Sequence, residues 1–331
     1  MALHRINRVP SFVLVFMLMT ALGMVGEEAT AVQFRVESSS TIVDQSGRRL
    51  VAKKSFKRII SLYGAHTENL FNLGLGEKII GVSRHETYPP DASHKPVFSY
   101  HDDPERFIAA RPDLVIIRPM IDRGYPQFIS ALEKSGITVV SLQPDTVENM
   151  HTYWHILGIL SGTRHRATAM ISQFNAAVSD YKTLTESERN KKRVYFEAIH
   201  SKMKTVAPDS MAAFALETAG GINVASDAKP VRNTNIAYYG KERILSHASE
   251  IDVYLAQSGA MNQPSVDLIK NEPGFNAIKA VAANQIYIID EQIVSRPTLR
   301  LLKGIYEIGR ILYPNLYDIN AYAILERATG F

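Results

Sequence analysis

The sequence predicts an α/β protein of two lobes, each with a mostly parallel sheet flanked by helices, joined by a long connecting helix. Three observations carry that expectation. Short runs of Ile, Val and Leu without polar alternation recur in both halves, as in RIISL, KIIGV, DLVII and TVVSL, then RVYFEAI, DVYLA and QIYIID. Strands that read this way are covered on both faces, the habit of parallel sheets. Helical patterns alternate with these runs. Between the two sets lies a stretch, 144–192, with no strand-like run at all.

The chain of 331 residues is 46% hydrophobic and 21% charged, enough apolar matter for a sizeable core. It opens with His4, Arg5 and Arg8, then the apolar run SFVLVFMLMTALGMVG (11–26) and the small-residue triplet ATA (29–31). That order fits an export signal over 1–31, and the run is short for a membrane span of roughly 20 residues. Cysteine is absent, which excludes disulfides, thiolate metal sites, a cysteine nucleophile and lipidation at a post-signal cysteine. The expectation is a protein free in a periplasm. Its net charge of +4 is scattered except for RNKKR (189–193), so nucleic acid is not an expected partner.

The first lobe is expected over 34–143. It begins with apolar residues flanking DQSGRR (44–49), a hairpin with a glycine turn. RIISL then leads into the helical HTENLFNLGL, KIIGV follows, DLVII leads into YPQFISALEKSG, and TVVSL closes the series. In 144–192, Asp145 and Glu148 are spaced as a capping box. Ala167, Met170, Ile171, Phe174, Ala177, Val178 and Tyr181 then keep helical spacing, with a break expected near Gly162. The second lobe, 193–331, resumes with RVYFEAI, the helical SMAAFALETAGG, DVYLA, QIYIID and a last amphipathic helix in RPTLRLLKGIYEIGRILYP. One motif occurs in each half. HDDPERFIAARPDLVII (101–117) and YYGKERILSHASEIDVYLA (238–256) both set a Glu-Arg pair before a short helix and a buried strand.

Taken in order, VDQSGRRL, RIISL, HTENLFNLGLGEKIIGVS, PERFIAARPDLVII, LEKSGITVVSL, ETAGGINVA, KERIL, AVAANQIYIID and the GRILYP ending are words of one family. Over roughly 40–315 the chain resembles the periplasmic substrate-binding proteins of ABC importers for metal chelates, the helical-backbone class that carries ferric siderophores, cobalamin and haem. The resemblance implies a monomer that captures a metal chelate between its lobes and delivers it to a permease dimer with a cytoplasmic ATPase. It implies no cofactor and no enzymatic activity. It also implies that Glu105 and Glu242, at the repeated motif, dock on permease arginines. The second copy departs from the pattern, with SEID where Pro-Asp is usual.

Ligands of open α/β sheets bind beyond the carboxyl ends of strands. Reading those ends gives Tyr63, His66, Arg84, His85, Tyr88, Tyr100, Arg118, His200, Arg232, Tyr238, Tyr239 and Arg296 as ligand-binding candidates. His101, Arg123, Tyr125, Gln257 and Met261 lie nearby. Tyrosine and histidine offer flat faces and hydrogen bonds, and arginine pairs with anionic oxygens. His85 is the candidate metal contact if the chelate leaves a coordination position open. A free or small-chelate transition metal (Zn, Mn, Ni or Co) is the alternative ligand, with His66, His85, His101 and His200 converging beside Glu86 or Asp290. His151 and His155 read as helix surface. An enzyme is the remote alternative: GLGEKIIG (74–81) has the wrong glycine spacing for a dinucleotide loop and runs from helix into strand.

Overall fold

The computed structural model describes residues 1, 33–84, 86–231 and 234–329. The expected export signal (Met1 apart), His85 and Arg232 lie outside the described residues.

The hairpin forms as expected. Strands β2 (Thr41–Val43) and β3 (Arg49–Val51) pair antiparallel, and β1 (Arg35–Val36) adds to β2. Buried Asp44 fixes the turn. It accepts from the backbone N–H groups of Ser46 and Arg48 at 3.0 and 2.8 Å and, from the neighbouring sheet, of Ser141 at 2.9 Å.

The first lobe's sheet holds β4 (Ile59–Ser61), β5 (Ile79–Val82), β6 (Leu114–Ile117) and β7 (Thr138–Ser141), in the order β5-β4-β6-β7, all parallel. Around it lie α1 (Gly64–Asn72), α2 (Pro104–Ala110), α3 (Pro119–Gly124) and α4 (Pro126–Lys134). Successive strand residues serve opposite faces. Leu114 and Ile116 enter one core cluster, Val115 and Ile117 another, and this is why the strands read as unbroken apolar runs.

The connecting stretch is two helices rather than one rod, α5 (Val147–Ser161) and α6 (Arg164–Leu184). Gly162 closes α5 at φ 76°, a conformation open to glycine, so the break falls where expected. The cap of α5 is Thr146, whose hydroxyl accepts from Asn149 N–H at 3.2 Å, and not Asp145. Asp145 instead accepts from the Asn149 side chain at 2.6 Å.

The second sheet has the order β11-β12-β9-β8-β13-β14, with β10 also on β8. Its strands are β8 (Arg193–Ile199), β9 (Lys204–Val206), β10 (Ile222–Asn223), β11 (Lys229–Pro230), β12 (Ile236–Tyr238), β13 (Val253–Ser258) and β14 (Ile286–Asp290). The part made of β10, β8, β13 and β14 is parallel. β9, β12 and β11 extend it antiparallel, a local meander that the sequence pattern did not announce. Helices α7 (Met211–Thr218), α8 (Lys241–Ser246), α9 (Val266–Lys270), α10 (Lys279–Ala282), α11 (Glu291–Val294), α12 (Leu301–Leu312) and α13 (Ile319–Thr329) complete the lobe.

Each sheet has an outer cluster of its own. The inner faces share one. Ile59 and Ile116 of the first sheet, Trp154 and Phe174 of the connecting helices, Phe196 and Leu255 of the second sheet and Leu302 and Ile305 of α12 belong to a single continuous core. Among the described residues no helix is long and apolar enough to cross a membrane.

Candidate functional site

Groups from the two lobes meet beyond the carboxyl ends of β4, β5, β6 and β14. Tyr63, the residue that opens α1, has an extended backbone and no side-chain cap bond. The Arg118 guanidinium, just past β6, lies over its ring at 4.7 Å. Burial pushes the Tyr63 phenol up, and Arg118 and Arg296 both oppose that. Arg118 has no ion pair among the described residues; its Nε is buried without a partner and one Nη meets only Met120 Sδ at 3.1 Å. Arg296, from the second lobe, likewise holds no ion pair among the described residues. It reaches across to the start of α1, where its Nη1 lies 2.4 Å from the point a Gly64 Cβ would occupy. Only glycine at position 64 leaves that space.

Glu86 stands at the same point. It is 8% exposed, and its Oε1 accepts from the Ser83 hydroxyl. Its Oε2 is buried without a partner and lies 2.7 Å from the same Gly64 Cβ position. Burial pushes the Glu86 carboxyl up, an effect that Ser83 and Arg296 oppose. Glu291, at the start of α11, is also raised by burial, again against Arg296. The centre of the site thus holds two unpaired guanidiniums and two carboxyl groups of hindered ionisation.

Beneath this centre the lobes are tied together. Glu68 of α1 and Arg300, at the foot of α12, form a forked ion pair with contacts of 2.7 to 3.0 Å, exposed only 1% and 9%. Asn69 Nδ2 donates to the Pro297 carbonyl at 2.9 Å. The Arg300 guanidinium also covers the Tyr88 ring at 4.1 Å, and burial pushes that phenol up to about 12. A forked, charge-assisted pair inside protein is strong only because both partners are present.

On the first lobe's rim, Tyr100, His101 and Tyr125 pack ring on ring, with centroids 4.3 to 5.1 Å apart. Arg84 is exposed and only loosely paired with Asp102 at 3.9 Å. Tyr238 is 59% exposed on the antiparallel extension, with Lys204 over its ring at 4.5 Å.

Three candidates prove internal. His66 is fully buried; Nδ1 meets Tyr153 Oη at 2.7 Å and Nε2 the Ile117 carbonyl at 3.2 Å. Burial lowers its pKa to about 3, so it is a neutral core imidazole and not a wall residue. His200 belongs to a network around Glu197 of β8. Glu197, 1% exposed, binds His200 Nδ1 at 2.7 Å, the Asn262 amide at 3.1 Å and the Tyr254 hydroxyl. The bond to Glu197 raises the His200 pKa. His200 Nε2 faces Glu272 at 3.6 Å, and Glu272 in turn holds Lys241 at 2.6 Å. Tyr239 is 6% exposed and donates to the Val224 carbonyl at 3.3 Å. Each of these residues follows a strand end, as expected, but turns inward, because the strand end fixes a position and not a side-chain direction. Gln257 is internal too, bonded to Ser295 and the Ala198 carbonyl. Asp290 caps α11.

Of the four histidines in the alternative metal reading, His85 lies outside the described residues, and the described ones do not converge. Among the described residues no group of three His, Asp or Glu side chains could hold a metal ion. His151 rests against Trp154 and Phe174, and His155 is exposed on the helix surface.

Glu105 and Glu242 are both exposed, each in the first turn of its short helix, α2 and α8. The irregular SEID loop still preserves one feature of the first copy. Asp113 accepts from Arg58 N–H beside β4, and Asp252 accepts from Arg193 N–H at the start of β8, at 2.8 and 2.9 Å.

The ion pair Glu68–Arg300 and the carboxyl of Glu291 escaped sequence reasoning. A glutamate among HTENLF, a segment buried along its whole first turn, is the one trace it left.

Residues 59–293 match the sequence profile of the periplasmic binding proteins. The chain belongs to that family. An ABC transporter substrate-binding lipoprotein of Bacillus subtilis (strain 168), YvrC, is 25% identical over 283 residues, 84% of this chain and 86% of the relative. A vitamin B12-binding protein of Vibrio campbellii is 27% identical over 256 residues, 76% of this chain and 88% of the relative. Among solved structures, one described as a possible iron-binding (periplasmic solute-binding) protein from Staphylococcus epidermidis superposes with a TM-score of 0.69 at 25% identity, covering 78% of this chain and 100% of that one.

Proposed function

We propose that this protein is the substrate-binding component of an ABC importer, exported to the periplasm, and that it captures a metal chelate between its lobes. The observation that carries this reading is the pair Arg118 and Arg296. They come from opposite lobes, both act on Tyr63, and neither has an anionic partner among the described residues. Guanidiniums left without partners beside an aromatic face suit a bulky ligand with oxygen-bearing arms. The chelate classes are a corrinoid, a haem or a ferric siderophore. Tyr88, Tyr100 and Arg84 border the same space in this reading, and Glu105 and Glu242 dock on the permease. Two separated carboxylates set register and association rate more than affinity. The chain has no cysteine, and we read it as free in the periplasm, unlike the Bacillus lipoprotein.

The test is titration of the purified protein with cyanocobalamin, haemin and a ferric catecholate chelate, followed by intrinsic fluorescence. One of them binds, and Arg118→Ala and Arg296→Ala each weaken that binding about tenfold or more, the scale of one lost charge-assisted bond. No binding of any chelate, or stoichiometric retention of bare Zn or Mn instead, overturns the reading. Glu105→Ala with Glu242→Ala abolishes uptake in cells and leaves ligand affinity unchanged; a drop in affinity removes the docking role.

A further inference from the structure

We infer that Glu86 and Arg296 together form a subsite for a primary carboxamide arm of the ligand. This rests on the reading of the cleft as a chelate site and goes on to name the ligand's chemistry. Glu86 Oε2 and Arg296 Nη1 lie 2.7 and 2.4 Å from one common point, the absent Cβ of Gly64. Opposite charges that close would be expected to join, yet they form no ion pair with each other, and Oε2 is buried with no donor. A buried acceptor without a donor and a half-buried guanidinium without an ion pair among the described residues therefore stand near one another. Leaving a buried carboxylate oxygen without a donor is unfavourable, so a bound group that fills both needs is strongly selected.

A primary amide is that group. Its N–H donates to Glu86 Oε2, and its carbonyl accepts from Arg296 Nη1–H. A carboxylate arm satisfies Arg296 but requires Glu86 to carry a proton, since two ionised carboxylates would otherwise face each other, whereas an amide meets the ionised carboxylate directly. Rejection of the wrong arm is large where a buried polar group is left unpaired. Ser83 holds the other Glu86 oxygen and fixes the carboxyl plane. The neighbouring charges of Glu68 and Arg300 are already spent on each other. The subsite favours a macrocycle with amide arms over one with carboxylate arms.

The experiment compares dicyano-cobyric acid, a corrin without a nucleotide loop whose arms but one are primary amides, with dicyano-cobyrinic acid, the same loop-free corrin with carboxylates on every arm. Haemin and a ferric catecholate chelate are run beside them, and circular dichroism confirms that each variant is folded. The native protein binds the amide corrinoid at least tenfold more tightly than the acid. Glu86→Gln, nearly the same shape but able to donate, narrows that ratio by tenfold or reverses it. An unchanged ratio in Glu86→Gln, or a native preference for the acid, overturns the inference. Binding of haemin or the ferric chelate but of neither corrinoid overturns it too, while the transport reading survives. Binding of none of the four removes both.

Discussion

Helices α2 and α8 present Glu105 and Glu242 in the same way, from the first turn of a short helix, but they are held by different means. Support for α2 is local. Asp103 caps it by accepting from Glu105 N–H at 2.9 Å, Pro104 opens it, and Arg106 binds Asp102 and the Val97 carbonyl, both at 2.7 Å. No side chain caps α8; Gly240 leads into it at φ 90°. Its anchor is Lys241, joined through Glu272 and His200 to Glu197 in the centre of the second sheet. One surface feature is thus written in adjacent residues in one lobe and in residues scattered over 197–272 in the other. A motif repeated in sequence does not imply a repeated scaffold beneath it.

The difference can be broken from either side. Glu197→Leu strands the partners His200, Asn262 and Tyr254 in the core and costs about 3 kcal/mol or more in urea unfolding. A loss below 1 kcal/mol shows that the network does not support the second lobe. Asp103→Ala removes one cap and costs about 1 kcal/mol in the same measurement. The smallest effect is that of pH. The His200 pKa is raised by Glu197, so its stabilising charge is fully present below the ordinary value of 6.5 and fades as pH rises through the raised value. The stability gap between the native protein and His200→Gln therefore shrinks from pH 6 to pH 9; a gap that stays constant removes the charge from the account.

Much of the fold was legible in the sequence because burial on two faces writes itself as apolar runs, and Gly162 marks its own break. The candidate site was legible in position and not in direction. Tyr63, Arg118 and Arg296 follow strand ends and stay partly exposed, whereas His66, His200 and Tyr239 follow strand ends and turn into the core. For His66 and Tyr239 nothing in their neighbours distinguishes the two outcomes, since the partners that draw them inward, Tyr153 and Val224, come from other elements; His200 alone has a local partner, Glu197, three residues before it. Glu68 and Arg300 stand 232 positions apart, and no local pattern announces so distant a match. The approach of Glu86 and Arg296 to the same point beside Gly64 is hidden for the same reason.

The Glu68–Arg300 fork has a consequence for unloading. Swinging the halves widely apart would leave one carboxylate and one guanidinium stripped of each other before water could reach them, and would tear a shared apolar interior as well. Such a molecule holds its cargo in a nearly ready-made seat, gains affinity from needing little rearrangement, and surrenders slowly when left alone. The work of letting go then falls to the transporter.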